Sequence, residues 1–176
     1  MPAPKPDHLP EVAPADIAVR AARDTDAAAL IALISTVWSE YPGCVMDIDG
    51  EVPELRCIAS AFARVHGEFW IAEDRTGLVT GCVGWRPAAA PDGIELCKLY
   101  VARAARRRGL GKRLCDLVEA AAVRVEARHV ELWSDTRFGD AHRLYERLGY
   151  RRGSETRDLH DLSHSVEYYF RKNLSP

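Results

Sequence analysis

Arg106-Arg107-Arg108-Gly109-Leu110-Gly111-Lys112 stands between a strand-like run, Ile94 to Val101, and a helix-like run that opens at about Gly109 and passes Ala120. A glycine-containing turn that feeds a helix N-terminus leaves several backbone N–H groups free and aligned with the helix dipole. Such a turn is an anion site, and the flanking arginines and lysine add positive charge to it. The stretch therefore predicts a phosphorylated ligand. Two familiar phosphate loops do not fit. A P-loop needs an earlier glycine and then Gly-Lys-Ser/Thr, but Gly111-Lys112 is followed by Arg113, and Arg106 stands where the first glycine should be. A dinucleotide loop needs a third glycine for close helix–strand packing, and Leu114 occupies that position.

Outward from the loop, hydrophobic periodicity lays out the rest of the chain. Towards the N-terminus, Ile17 to Ala21 alternates as a first strand. Asp24 offers an N-cap, and Ala28, Leu30, Ile31, Leu33, Ile34 and Val37 form a helical apolar face to about Ser39. A turn-rich acidic stretch from Cys44 to Pro53 precedes a second helix, about Pro53 to Val65. Phe69 to Ala72 and Leu78 to Trp85 read as hairpin strands joined at Asp74-Arg75-Thr76-Gly77, with Ile94 to Val101 next in the meander. Beyond the loop, Leu110, Leu114, Leu117, Val118 and Ala121 share a helix face ending near Ala127. Val130 to Trp133 is a fifth strand, Asp140 to Leu148 a fourth helix, and Tyr150 to about Arg157 and Val166 to Phe170 close the sheet. In Ile94 to Val101, strict alternation puts Glu95, Cys97 and Leu99 on one face and Leu96, Lys98 and Tyr100 on the other.

Bulk properties narrow the function classes. A chain of 176 residues with 47% hydrophobic and 28% charged content is of ordinary size for one globular domain. The expected division is an extended or disordered arm over 1–15 and a single domain over 16–176. A net charge of −2 argues against a nucleic-acid partner, and the arginines concentrate instead between Arg103 and Arg113. No stretch has the length of a membrane span or the layout of a signal peptide. Cys44, Cys57, Cys82, Cys97 and Cys115 lack the paired spacing of a zinc site, so no metal is expected, and buried thiols fit a cytoplasmic protein.

Three segments together resemble the GCN5-related N-acetyltransferase (GNAT) family. Arg106, Gly109 and Gly111 fill the fixed positions of its Arg/Gln-x-x-Gly-x-Gly/Ala acetyl-CoA loop. Glu95 to Val101 is similar to its fourth strand, and Ala141-His142-Arg143-Leu144-Tyr145 through Gly149-Tyr150 resembles its Ala-x-x-Leu-Tyr-x-x-x-Gly-Phe/Tyr signature. The resemblance covers roughly residues 17 to 171. It implies an α+β fold: a mixed, mostly antiparallel sheet of about seven strands with helices on both faces. It also implies acetyl-CoA as co-substrate and direct transfer to an amine within a ternary complex.

By the same resemblance, the cofactor is held by the loop residues Arg106, Arg107, Arg108, Gly109, Gly111 and Lys112 and by the strand edge at Leu99 and Val101. Tyr145 is the candidate general acid, a phenol of pKa near ~10 able to protonate a leaving thiolate; its helical spacing also suits a core position. Glu95 is the candidate base, with substrate binding and a structural ion pair as its alternatives. Cys97 invites a covalent acetyl-cysteine route, for which no activating histidine can be placed. Many relatives carry Asn three residues before the helix alanine, contacting the pantetheine arm, where this chain has Phe138.

Residues expected around the acceptor are Trp38, Tyr41, Asp47, Asp49, Glu51, Asp135, Arg137, His160 and Asp161, with Arg137 or Arg157 available for a carboxylate. These favour a small amine or amino-acid-like acceptor. A protein or peptide N-acetyltransferase and a catalytically degenerate acyl-CoA binder are the alternatives. The family often dimerises through its C-terminal strands, so a homodimer is also in view.

Overall fold

A computed structural model describes residues 16–174. The expected arm over 1–15 and the last two residues lie outside it. Seven strands form one sheet in the order β1-β2-β3-β4-β5-β7-β6. They are β1 (Ala18–Ala21), β2 (Glu68–Glu73), β3 (Val79–Pro87), β4 (Gly93–Val101), β5 (His129–Asp135), β6 (Arg151–Asp158) and β7 (Val166–Asn173). All neighbours are antiparallel except β4 and β5. The parallel pair is joined by α3 (Leu110–Arg124), as a parallel connection requires a crossover. The expected mixed, mostly antiparallel α+β sheet is present.

Two apolar layers sandwich the sheet. On one face α1 (Ala27–Trp38) and α2 (Ile58–Arg64) bury Leu30, Ile34, Ile58 and Phe62 against Phe69, Ile71 and Cys82. On the other, α3 and α4 (Gly139–Arg147) bury Leu110, Leu114, Val118 and Tyr145 against Ile94, Leu96, Leu132 and Phe170. Leu114 is completely shielded from solvent. Truncating such a leucine removes packed contacts and leaves a void. Leu114→Ala is expected to cost about 2–5 kcal/mol, read as a lower midpoint in urea denaturation.

Three local expectations change. Asp24 does not cap α1; a short 3₁₀ turn over Asp24–Asp26 comes first. The Asp24 carboxylate instead accepts bonds from the Ser60 backbone N–H at 3.0 Å and hydroxyl at 2.5 Å, tying the first and second helices together. The second helix is shorter than expected, because Pro53–Cys57 forms a 3₁₀ turn and the α-helix begins at Ile58.

The third change shapes the site. In β4 the alternation breaks at Lys98, whose φ is +52°. Gly84 pairs with Cys97 and Cys82 with Tyr100, so two steps on β3 face three on β4. This is a β-bulge. Past it, Leu99 and Val101 join Leu96 on the α3 face, while Cys97 and Tyr100 pack on the α1 side. The expected grouping of Glu95 and Cys97 with Leu99 is therefore overturned. Lys98 is fixed by an ion pair to Glu54 at 2.7 Å, and its carbonyl accepts the Cys82 thiol at 3.3 Å.

Candidate active site

Strands β4 and β5 pair only from Gly93 to Glu95 against His129 to Glu131. Beyond Glu95 the two strands separate, and β5 continues in partnership with β7 as far as Asp135. The parting leaves the far end of β4, re-aimed by its bulge, facing a cleft instead of a strand. That cleft has a volume of about 680 Å³ and is lined by Leu99, Val101, residues of the 106–112 loop, Ala141 and Leu144 of α4, and Leu148 just beyond it.

The loop geometry follows from its glycines and its strained arginine. Arg107 and Gly109 both adopt positive φ, at +62° and +81°. Gly109 precedes α3 without any side-chain cap. The first bond of the helix runs from the Arg113 N–H to the Gly109 carbonyl at 2.9 Å, so the N–H groups of Leu110, Gly111 and Lys112 have no backbone acceptor among the described residues. Those N–H groups and the positive end of the helix dipole form an anion seat. A Cβ on Gly111 would come within 2.9 Å of the Leu144 side chain, so the glycine permits α3 and α4 to approach.

The loop side chains divide their work. Arg107 and Lys112 line the cleft, and Lys112 also reaches Asp116 at 2.6 Å. Arg108 is absent from the lining. Arg106 lines the cleft too, yet its guanidinium is committed elsewhere. Its Nε donates to the Val101 carbonyl at 2.9 Å, and its two terminal nitrogens fork onto Glu40 at 2.7 and 2.9 Å. The bidentate pair is a strong, directional hydrogen bond. Arg106 therefore braces the loop against β4 and the end of α1, and the backbone is left to face an anion.

A second pocket, of about 900 Å³, opens on the other side of β4. It shares Leu99, Tyr100, Phe138 and Ala141 with the first, so the two meet at the end of β4 and the start of α4. Glu95, Cys97 and Tyr145 line it. Tyr145 is 4% exposed, packed near the rings of Tyr150 and Phe170, and its burial raises the hydroxyl well above the usual phenol range. Tyr145 is thus a core residue that also reaches the pocket wall.

Glu95 is held by Arg86 through two bonds, Nε to Oε2 at 2.9 Å and Nη2 to Oε1 at 3.1 Å. Phe138, in place of the family's Asn, packs its ring 4.6 Å from that of Tyr41. An aromatic bridge from the α1 end to the α4 start thus stands where an amide contact was sought.

Of the acceptor-side residues expected from sequence, Trp38, Asp47, Glu51, Asp135, Arg157, His160 and Asp161 line the second pocket. Tyr41 lines the first pocket instead. Asp49 is exposed and pairs with Arg56 at 2.8 Å, away from the pocket. Arg137 is not on the lining either; its guanidinium forks onto Asp135 and also donates to the Ser163 carbonyl and the Ser165 hydroxyl. Those four bonds commit the guanidinium to the protein itself. Glu54, the end of the acidic run from Asp47 expected to attract a cationic amine, lines the second pocket too, whereas sequence reading missed Trp133 on β5 and Glu167 on β7. Neither lies in a motif. Acidic side chains outnumber Arg86, Lys98 and Arg157 on this lining.

Cys97 is a poor nucleophile here. Burial pushes its thiol up to about 12, and no histidine bonds it among the described residues. Only on the order of 10⁻⁴ of such a thiol is ionised at pH 8. Cys97→Ala is expected to keep turnover within about threefold, and iodoacetamide should label the thiol slowly; burst release of thiol lost in the variant would restore the covalent route.

Comparison with known proteins agrees with this geometry. The acetyltransferase (GNAT) domain family matches residues 65–152, half of the chain. The chain belongs to the GNAT acetyltransferase family, whose fold implies binding of an acyl-CoA. Over 105 residues it is 37% identical to a Danio rerio protein named Probable N-acetyltransferase 14, covering 56% of this chain and 35% of that one. The chain therefore spans about a third of the length of that curated relative. Among solved structures, a GNAT-family acetyltransferase from Staphylococcus aureus Mu50 superposes with a TM-score of 0.76 at 21% identity, over 90% of this chain and 99% of that one. A GCN5-related N-acetyltransferase from Kribbella flavida gives a TM-score of 0.71 at 22% identity, over 92% and 100%. These likenesses share the fold. Among the described residues no helix is long and apolar enough to cross a membrane.

Proposed function

We propose that this protein is an acetyl-CoA-dependent N-acetyltransferase acting on a primary amine of a small or amino-acid-like molecule, by direct transfer in a ternary complex. The observation that carries this reading is the meeting of two pockets at Leu99, Tyr100, Phe138 and Ala141. One pocket has an anion seat of backbone N–H groups, and the other is acidic. A thioester entering from the first and an amine entering from the second would come together beside Tyr145.

In this reading the N–H groups of Leu110, Gly111 and Lys112 hold the pyrophosphate, with Arg107 and Lys112 adding positive charge. The β4 edge at Leu99 and Val101 carries the pantetheine amides as a strand would. Acetyl-CoA supplies the activated acetyl group. The excess of carboxylates in the second pocket draws a cationic amine and disfavours a polyanion. Tyr145 stays protonated at working pH, because burial opposes its ionisation, and donates to the departing thiolate.

The test is thiol release from acetyl-CoA across monoamines, polyamines, free amino acids and lysine peptides. Turnover on a small amine or amino acid supports the reading. Turnover confined to peptides would move the acceptor to proteins, and binding without turnover on any of them would leave an acyl-CoA binder.

A further inference from the structure

The acceptor amine arrives mostly as its ammonium ion and must lose a proton before it can attack. Glu95, the residue that the fourth strand offers for this, is poorly suited to it. Both of its oxygens already accept a bond from the Arg86 fork, which holds the carboxylate against the cation and leaves neither oxygen unbonded.

Glu167, on β7, lines the same pocket and has a different setting. Its side chain is 15% exposed. Its Oε2 accepts a single bond from the Arg157 Nε at 2.5 Å, and its Oε1 accepts none from the described residues. The Arg157 guanidinium is also held over the Trp133 ring, 4.6 Å from its centroid, which anchors the cation beside the carboxylate. The titratable groups that face Glu167 are Asp135, its cross-strand partner on β5, Arg157, its partner on β6, and, from β4 beyond β5, Glu95 and Tyr100. Asp135 carries its own fork from Arg137, and Glu95 that from Arg86. The Lys98–Glu54 pair, Asp161, and His160, which pairs with Asp158, stand elsewhere around the pocket. Burial outweighs Arg157, and with the two neighbouring carboxylates it lifts the Glu167 carboxyl above its ordinary value. A carboxylate moved towards neutral pH, with one unbonded oxygen in a pocket, has the properties of a general base.

We propose that Glu167 is the catalytic base: its Oε1 takes a proton from the acceptor ammonium, so that an N–H bond breaks, an O–H bond forms and the electron pair stays on nitrogen for attack. The Glu95–Arg86 fork is then part of the pocket wall. This assignment rests on the amine-acetylation reading.

The test is kcat/KM against pH for Glu167→Gln and Glu95→Gln, with acetyl-CoA and the best acceptor of the amine panel. Calorimetric acetyl-CoA binding and carbon-13 NMR titration of the side-chain carboxyls accompany it. Glu167→Gln is expected to lower kcat/KM about 10²-fold near neutral pH and to move its acidic fall up to the acceptor amine's own pKa, with acetyl-CoA affinity unchanged. Glu95→Gln is expected to lose less than about tenfold and to leave that fall in place. Glu167→Asp keeps the charge on Arg157 but withdraws the carboxylate by one methylene; it should retain the acidic fall at reduced rate, which separates catalysis from folding. An acidic fall that stays in place in Glu167→Gln, or that moves up to the amine's pKa in Glu95→Gln, overturns the assignment, as does a Glu167 carboxyl titrating at the ordinary glutamate value. Absence of transfer by the unaltered protein to every amine would instead overturn the amine-acetylation reading itself, and that result is recognised without any variant.

Discussion

Tyr145→Phe is expected to lower kcat about 10²–10⁴-fold while leaving acetyl-CoA affinity unchanged. The substitution removes one hydroxyl and keeps the ring that packs against Tyr150 and Phe170, so the core under α4 survives. What disappears is the proton donor on the wall of the second pocket. Its burial disfavours the phenolate, so the hydroxyl is protonated across the working range, and loss of activity should be similar from mildly acidic to mildly basic pH. Stopped-flow thiol release and calorimetry check the two halves separately. Normal turnover in Tyr145→Phe would leave the residue as core alone.

Gly109→Glu is expected to weaken acetyl-CoA binding by at least about 10²-fold, with the fold retained. Two effects add at this position. The backbone there has φ +81°, which an L side chain adopts only at a cost of about 1–2 kcal/mol. The new carboxylate would stand at the mouth of α3, where the N–H groups of Leu110, Gly111 and Lys112 have no backbone acceptor among the described residues, and would repel a pyrophosphate from that seat. A Cβ on Gly109 meets nothing within 4 Å, so the helix itself is not displaced. Calorimetry with acetyl-CoA, beside a thermal melt, reads the effect. An unchanged dissociation constant would move the cofactor away from the loop.

The loop, the seven strands and the α4 signature were legible because each is written locally, in glycine spacing or in apolar periodicity. What was not legible depends on residues far apart in sequence or on backbone that alternation cannot reveal. The bulge at Lys98 reverses the faces of Leu99 and Tyr100, and nothing in Glu95 to Val101 announces that a lysine takes positive φ. Arg106 looks like a phosphate ligand until Glu40, 66 residues away, is seen to occupy its guanidinium. Asp24 looks like a helix cap until Ser60, 36 residues on, takes its carboxylate. Arg137 looks available to a substrate until Asp135 and the 163–165 segment claim it. Glu167 sits in an ordinary strand sequence, and only the β5–β7–β6 pairing brings it between Asp135 and Arg157. Local chemistry thus pointed to the loop that lines the first cleft, while the second pocket is a product of tertiary assembly.

The most direct measurement is thiol release by the unaltered protein with acetyl-CoA and the amine panel, with the acetylated product identified by mass spectrometry. The two-pocket account predicts stoichiometric thiol and N-acetyl product on a small primary amine or amino acid, with no thiol released when the amine is omitted. Thiol release that never depends on an amine, or none with any acceptor despite acetyl-CoA binding, would contradict it.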